Sequence, residues 1–413
     1  MGAFKLGLLI VVLIVFAVMY DWSMLDNLII ALIGLLIVAW IWSRDSLNRI
    51  GLRRELSSDR VRVGEMVEEV ISLTNHSRWP RLWIEAQDHG TLPNHQAGAV
   101  VSVRGRSTTT WTTRTPTRRR GVYRLGPITV HGGDPFGLFE KQRLIPVEHE
   151  LVVYPPAVDV AHIPSPIASM TGGAMRHRRL SASSPTISGV REYTAGDPMN
   201  RISWSATARR GFMMVKEFDP DPTADLWIVL DLSERGQFDL AANGNASASH
   251  RDFAAYMEST VDYIVAIGGA LAERSLNDGR KVGLILNRAM PIRLDADNTE
   301  RQWFRIFEVL ATAAAFGDRS LAEMLTSESR RFTRATGVTV ITSDPDTEWI
   351  PAARGLIERQ VPLTTVVVDA GGQGQDSVLP LIEALAVSRV TVTRFPTHNA
   401  KANADAPFPV HST

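Results

Sequence analysis

GVREYTAGDPMNRISWSATARRGFMMVKEFD, residues 189–219, stands between a β-rich half and an α/β half of the chain, and its reading sets how everything around it divides. Asp197 suits a helix N-cap, Pro198 the first helical position and Gly211 the stop after the last turn. Ile202 and Ala206 would share one helix face, Trp204 and Ala208 another. Phe212 to Phe218 reads as a strand that Pro220 and Pro222 close. The stretch is therefore a turn, a short helix and a strand, with Arg191, Glu192, Asp197, Arg201, Arg209 and Arg210 crowded into it. Such charge density reads first as an ion-paired structural corner, with a ligand site as the alternative.

Downstream, residues 224–397 read as α/β. Leu226–Asp231, Val282–Asn287, Val338–Ser343, Thr364–Asp369 and Val390–Phe395 are continuous apolar strands. Phe253–Leu276, Thr299–Ala315, Leu321–Phe332, Ile350–Arg359 and Val378–Val387 carry helical periodicity between them. That alternation predicts a doubly wound parallel sheet covered on both faces. Ligands of such sheets bind beyond the carboxyl ends of the strands, where Asp231, Ser233, Asp344 and Asp369 fall.

Upstream, residues 46–155 read as an immunoglobulin-like β-sandwich. Val61–Val63, Met66–Thr74, Leu82–Gln87, Ala99–Val103, Thr108–Thr113, Gly121–Leu125 and Ile128–His131 are short strands separated by turn residues. Arg118-Arg119-Arg120 reads as a solvated loop, or as a contact for anionic lipid. Phe136 and Phe139, around the turn Asp134-Pro135-Phe136-Gly137, are expected to tuck against another layer as a seam to the next domain. Residues 156–223 then hold a Pro-, Ser- and Arg-rich linker and the opening stretch, and 398–413 a tail.

The first 45 residues carry two apolar runs, Leu6–Met19 and Trp22–Trp42, with Tyr20, Trp22, Trp40 and Trp42 at their ends. No small-x-small cleavage site follows Phe16, so a two-helix membrane anchor over 1–45 is favoured over a signal peptide. Lys5 precedes the runs, Arg44, Arg49, Arg53 and Arg54 follow them, and the connection carries only acids. The positive-inside rule places both termini and the soluble domains in the cytoplasm, at the inner membrane.

Composition excludes several classes. The 413 residues have zero formal net charge, which gives no nucleic-acid footprint, and no cysteine, which removes disulfides and thiolate sites. There is no Walker A loop, no Gly-x-Ser-x-Gly, no His-Glu-x-x-His and no dinucleotide fingerprint. His131 and His177 read as surface or structural. Catalysis is not expected.

Asp231-Leu-Ser233 after one strand and Thr342-Ser-Asp344 after a later one resemble a von Willebrand factor type A domain. In that family an Asp-x-Ser-x-Ser loop, a Thr loop and a distal Asp bind a divalent cation such as Mg through oxygen ligands. This chain has Arg235 at the third loop position, and Asp318 or Arg319 near the Thr position. The resemblance therefore implies a degenerate site of Asp231, Ser233, Asp318 and Asp344. Arg235 would stand in for the ion by pairing with Asp231 or Asp344, and no cofactor is expected.

GVYRLGP at 121–127, DPFGLF at 134–139, VYPP at 153–156 and GVREYTAGDPMNRISWSATAR, in that order, resemble the domain of unknown function 58. Arg191, Tyr193, Gly196, Asp197, Arg201, Trp204 and Arg209 carry its signature. The resemblance implies a membrane-anchored bacterial or archaeal protein, an interaction scaffold or adaptor working with a MoxR-type AAA+ ATPase and other von Willebrand-type proteins. A cryptic hydrolase or nucleotide-dependent enzyme built on residues 191–210, and a structural envelope protein, are the alternatives.

Overall fold

The computed structural model describes residues 2–20, 23–166, 187–194, 199, 202–218, 224–240, 256–370 and 378–397. The expectations placed on Gly196, Asp197, Pro198, Arg201, most of the Pro- and Ser-rich linker and the tail lie outside these residues. The chain forms two compact units, Met1–Tyr154 and Pro155–Thr413.

The first unit opens with α1 (Gly2–Tyr20) and α2 (Ser23–Asp45), both long and apolar enough to cross a membrane by length and composition. Ten strands follow: β1 (Ile50–Leu56), β2 (Arg60–Arg62), β3 (Met66–Asn75), β4 (Arg81–Asp88), β5 (Ala99–Val103), β6 (Ser107–Pro116), β7 (Gly121–Leu125), β8 (Ile128–Gly133), β9 (Glu140–Ile145) and β10 (His149–Tyr154). They pair as β1-β3-β6, β5-β4-β8-β9 and β2-β10-β7. In β3 every second residue from Val67 is buried, the period that puts one strand face in a core. Ile71 and Leu73 from β3, Ile84 and Ala86 from β4, and Ile128 and Val130 from β8 close one apolar cluster with Leu47 and Ile50. The β1-β3-β6 and β5-β4-β8-β9 sheets thus pack as a sandwich. β1, β9 and β10 join the expected strands; β1 is interrupted by the consecutive charges Arg53-Arg54-Glu55, and β9 is almost wholly exposed, so neither carries an apolar run.

Phe136 is exposed and Phe139 half-buried; Asp134 is buried and accepts from the amides of Phe136 and Phe139 at 2.9 and 2.5 Å, while Leu138 O accepts from Ala3 N of α1. Arg118-Arg119-Arg120 stands at the far end of β6 from the α2–β1 junction. β6 runs from Ser107, paired with Asn75 beside the α2–β1 junction, to Pro116 at the opposite end, where the triplet follows. Burial lowers the Arg120 pKa to about 10.

In the second unit β11 (Ile187–Glu192) pairs antiparallel with β12 (Met214–Phe218), and α3 (Trp204–Arg210) lies between them. α3 starts later than expected. Ser203 holds its N-cap, and Ile202 bridges to Val215 instead of sharing a helix face with Ala206. Gly211 ends it as predicted, at φ 79°, a conformation that costs glycine nothing.

The rest is a six-stranded sheet of order β15-β14-β13-β16-β17-β18, built from β13 (Asp225–Asp231), β14 (Val282–Asn287), β15 (Ile292–Asp297), β16 (Thr336–Thr342), β17 (Leu363–Asp369) and β18 (Thr391–Pro396). All pairs are parallel except β14 with β15. The all-parallel expectation is corrected at that edge: β15 follows β14 by a short turn, and a short turn returns a chain only antiparallel. Helices α4 (Thr260–Asn277), α5 (Glu300–Ala311), α6 (Leu321–Glu328), α7 (Ile350–Glu358) and α8 (Leu379–Val387) complete the unit. α4 begins at Thr260, where Ser259 and Asp262 form a reciprocal capping box; the expected start at Phe253 lies outside the described residues. Ile228, Val229 and Leu230 of β13 are fully buried, as a central strand covered on both faces requires.

Candidate functional site

Sequence order reverses between β13 and β16, and the crevice beyond such a switch point is where open α/β sheets bind ligands. Asp231 ends β13, Asn287 ends β14 and Thr342 ends β16, so three parallel strands deliver polar side chains to one place. Asp231 is fully buried. Its Oδ1 accepts from Ser233 Oγ at 3.0 Å and Asn287 Nδ2 at 3.0 Å, and its Oδ2 accepts from Thr342 Oγ1 at 2.8 Å. These donors are neutral. Burial outweighs their hydrogen bonds and pushes the Asp231 pKa above the usual carboxylate range.

A second tier fixes the loops. Gln237 Nε2 donates to Asp231 O at 3.1 Å, Thr260 Oγ1 to Gln237 Oε1 at 2.8 Å, and Ser343 Oγ to Gly236 O at 2.6 Å. Gly236 is needed here: a Cβ would lie 2.4 Å from Asp344 Cα. Asp344 follows half-buried, with its amide donating to Thr342 Oγ1 at 3.0 Å. Burial raises its pKa, and Asp346 adds to the effect.

The predicted ion set comes together only in part. Asp231 and Ser233 are bonded, and Asp344 adjoins them through Thr342. Asp318 stands at the exposed rim. Of the two expected partners of Arg235, Asp231 is not paired with it, while Asp344 feels its charge, which lowers the Asp344 pKa against the effect of burial; Arg235 Nη2 itself lies 3.6 Å from Asp318 Oδ2, with both side chains largely exposed. The reason is local. Asp231 is already saturated by Ser233, Asn287 and Thr342, and Arg235 sits in a short 3-10 turn, Glu234–Gly236, that faces outward. Asp369, at the end of β17, belongs to another pair, with Arg394 Nε donating at 2.7 Å. All donors near Asp231 are oxygen or amide groups, a set suited to a hard cation. Yet its carboxylate oxygens face protein donors, and Arg235 stands where the resemblance would expect a third hydroxyl. The residues present do not fit a divalent ion well.

Around this node the rim is exposed and mixed. Phe316 and Met290 are exposed, beside Arg235 and Asp318. Phe316 N donates to Leu232 O and Ala289 N to Phe316 O, so both apolar side chains stand on backbone tied to the strand ends.

Of the signature residues, Arg191 donates to Glu192 O and Thr194 Oγ1, each at 3.0 Å, on an exposed surface. Tyr193 N donates to Met213 O at 2.9 Å. Trp204 and Arg209 are exposed on α3. Asp197 and Arg201, the other charges of the expected ion-paired corner, lie outside the described residues.

Residues 189–380 match the model of the family described as Protein of unknown function DUF58. The DUF58 match runs from β11 into α8 and so spans both the hairpin and the strand-end node. Uncharacterized protein YeaD of Bacillus subtilis is 24% identical over 213 residues, 48% of this chain and 51% of that protein. Uncharacterized protein Rv1480 of Mycobacterium tuberculosis is 27% identical over 183 residues, 43% of this chain and 53% of that protein. The chain thus spans about half the length of the curated relatives it matches. Among solved structures, the CARDB domain of the PF1109 protein from Pyrococcus furiosus covers 25% of this chain and 91% of its own, at 13% identity and TM-score 0.20. Spo0M, a sporulation control protein of Bacillus subtilis, covers 26% and 50%, at 12% identity and TM-score 0.17.

Outside the DUF58 match, the sandwich holds a cluster that the sequence reading missed. Arg54 of β1, Glu69 of β3, Asp88 of β4 and His95 are all almost wholly buried. Arg54 Nε lies 3.2 Å from Glu69 Oε2, and Arg54 also donates to Asp88 Oδ2. His95 Nε2 lies 2.8 Å from Asp88 Oδ2 and 3.2 Å from Glu69 Oε1, and its Nδ1 is 3.0 Å from Thr115 Oγ1. Gly126 N donates to Asp88 Oδ1 at 2.9 Å. Burial raises the Glu69 pKa. For Asp88, burial acts upward too, but the His95 hydrogen bond and the Arg54 charge overcome it and hold the pKa below the ordinary value. Glu69, Asp88 and His95 donor atoms lie within 4.8 Å of one another, close enough to share a metal. The guanidinium of Arg54 contacts both carboxylates and already supplies positive charge, so the cluster is an ion network that locks four segments of the sandwich. Its signal was present in the alternation: Glu69 shares parity with Val67, Ile71 and Leu73, and Arg54 with Ile50 and Leu52, so two charges sit at core positions.

Proposed function

We propose that this chain is a membrane-anchored interaction scaffold whose α/β unit offers the strand-end face at the β13–β16 switch point to a protein partner. One observation carries the reading: a buried, internally saturated Asp231 node holds rigid a rim where exposed Phe316 and Met290 stand among Arg235, Asp318 and Asp344. An apolar centre with charged surroundings is the composition of a protein interface. A rigid base lowers the ordering cost of binding.

The unit is read as von Willebrand factor type A-like. Supporting this are the order β15-β14-β13-β16-β17-β18 with one antiparallel edge, Asp-x-Ser after β13 and Thr-Ser-Asp after β16. Capture is metal-independent in this reading, because the Asp231 oxygens are engaged by protein donors. The family resemblance supplies the partner class, a MoxR-type AAA+ ATPase. α1 and α2 anchor the chain in the inner membrane with both termini and the soluble units cytoplasmic, as the basic residues after α2 favour.

The test is capture of the detergent-solubilised full chain from its native membrane, with and without EDTA. Asp231 is a poor variant because its loss would unsettle the fold, so Phe316→Glu is used. A AAA+ ATPase recovered with the wild type despite EDTA, and lost with Phe316→Glu, supports the reading. Equal recovery with the variant sinks the face assignment, and recovery of no ATPase sinks the partner.

A further inference from the structure

The first unit carries a second surface, at the end of the sandwich where the two helices enter. α2 reaches β1 through residues 46–49 alone, and this junction is knitted to its surroundings. Arg81 Nη2 donates to Asp45 Oδ2 at 2.7 Å, Lys141 Nζ to Arg44 O at 3.3 Å, and His76 N to Arg49 O at 2.9 Å. The β8–β9 turn meets the start of α1 through Ala3 N and Leu138 O at 3.2 Å. Both helix ends therefore fix the same rim of the sandwich, formed by residues 76–83 and 134–141.

That rim exposes large apolar side chains that the core does not need. Trp79 is 67% exposed, Leu82 56%, Trp83 42% and Phe136 56%. Arg44, Arg78, Arg104, Arg106 and Lys141 are exposed around them, against the single exposed acid Glu140 among residues 134–141. The β6–β7 end, opposite, carries the Arg118 and Arg119 pair without exposed aromatics beside it. Tryptophan and phenylalanine beside cations, at the level where a hydrophobic helix pair ends, is the composition of a bilayer interface. Arg44 over the Trp40 ring, 5.4 Å to the centroid, extends the same chemistry onto α2.

We propose that this rim seats the sandwich on an anionic phospholipid surface, with Trp79, Leu82, Trp83 and Phe136 entering the headgroup layer and Arg78 and Lys141 meeting lipid phosphates. The proposal rests on the reading of α1 and α2 as membrane spans. Basic residues near an anionic leaflet each add to the attraction, so a handful suffices to hold a domain already tethered.

The cysteine-free chain makes the test direct. Single cysteines are placed by Trp79→Cys, Ile33→Cys in the middle of α2, and Glu148→Cys at the opposite end, and each carries a polarity-sensitive fluorophore. The full chain is reconstituted into vesicles of phosphatidylcholine with phosphatidylglycerol. The label at 79 is expected to resist iodide several-fold better than the label at 148 and to be quenched by lipids with a nitroxide at headgroup depth. Its shielding should weaken as phosphatidylglycerol is withdrawn. If the label at 33 is quenched by a deep nitroxide while that at 79 is as open to iodide as that at 148, the surface assignment falls and the spans stand. If the label at 33 meets no lipid quencher, the spans fall and the proposal with them. Shielding at 79 that grows with protein density instead identifies a second copy as the occupant and overturns the lipid assignment.

Discussion

Replacing Arg54 with methionine removes the guanidinium between Glu69 and Asp88 while keeping most of the side-chain volume. Arg54 is fully buried, and the two carboxylates are at most 4% exposed, so no water can take its place cheaply. Deleting one member of such a network leaves an uncompensated buried charge and costs about 3–5 kcal/mol. At 1.4 kcal/mol per factor of ten, that is a loss of roughly two to four powers of ten in the protection of β3 and β4 amides against hydrogen exchange. Hydrogen exchange of the full chain is the suitable assay because peptides from the α/β unit serve as an internal reference. The pH dependence has a definite sign. Burial holds Glu69 above its ordinary pKa, so the stability it contributes is present in acid and is lost as pH rises through the folded value. Without Arg54 that folded value climbs further and the loss deepens at neutral pH. Asp88 is held low, so it stabilises above the ordinary carboxylate range and loses this as pH falls. Both effects make the deficit of the variant larger at neutral pH than in acid. A loss under tenfold, or a deficit that does not shrink in acid, would refute the reasoning.

Thr342→Val removes a donor to Asp231 and the acceptor of the Asp344 amide. It is expected to cost about 1–3 kcal/mol in denaturant unfolding of the α/β unit. The deficit grows as pH rises, since Asp231 already has a raised pKa. Gly236→Ala forces a methyl into the Asp344 backbone and should cost about 1–3 kcal/mol. An unchanged midpoint would show that the loop yields freely. Gly283→Ala puts a Cβ 2.7 Å from the Trp227 ring, and a similar loss with a shifted tryptophan emission is expected; an unaltered spectrum would count against that packing.

Much of this architecture was readable from periodicity. β13, β14, β16, β17 and β18 are apolar runs that need cover on both faces, and the sequence shows them as such. β9 was invisible for the opposite reason: an edge strand such as Glu140–Ile145 buries almost nothing, so no hydrophobic pattern marks it. β15 escaped because Ile292–Asp297 alternates with Arg and Asp. At the strand ends, Asp231, Ser233 and Asp344 were foreseen, whereas Asn287 was recognised only as a strand terminus. Its role depends on which strands are neighbours, and pairing order is a tertiary fact. Arg235 misled because charge complementarity suggests a partner without saying that the partner's lone pairs are already taken.

The direct run of α2 into β1 also has a mechanical meaning. Ser43 and Ser46 are buried and joined, with Ser46 Oγ donating to Ser43 O at 2.9 Å, and Leu47 lies in the sandwich core. Such a joint has little compliance. Helices in a bilayer tilt when its thickness changes. On the reading of α1 and α2 as membrane spans, a tilt of α2 would not be absorbed by a swivel, and the sandwich would move with it as the long arm of a lever. A small rotation of the helix pair would then become a larger sweep at the β6–β7 end, and a load applied there would return as torque on the helices.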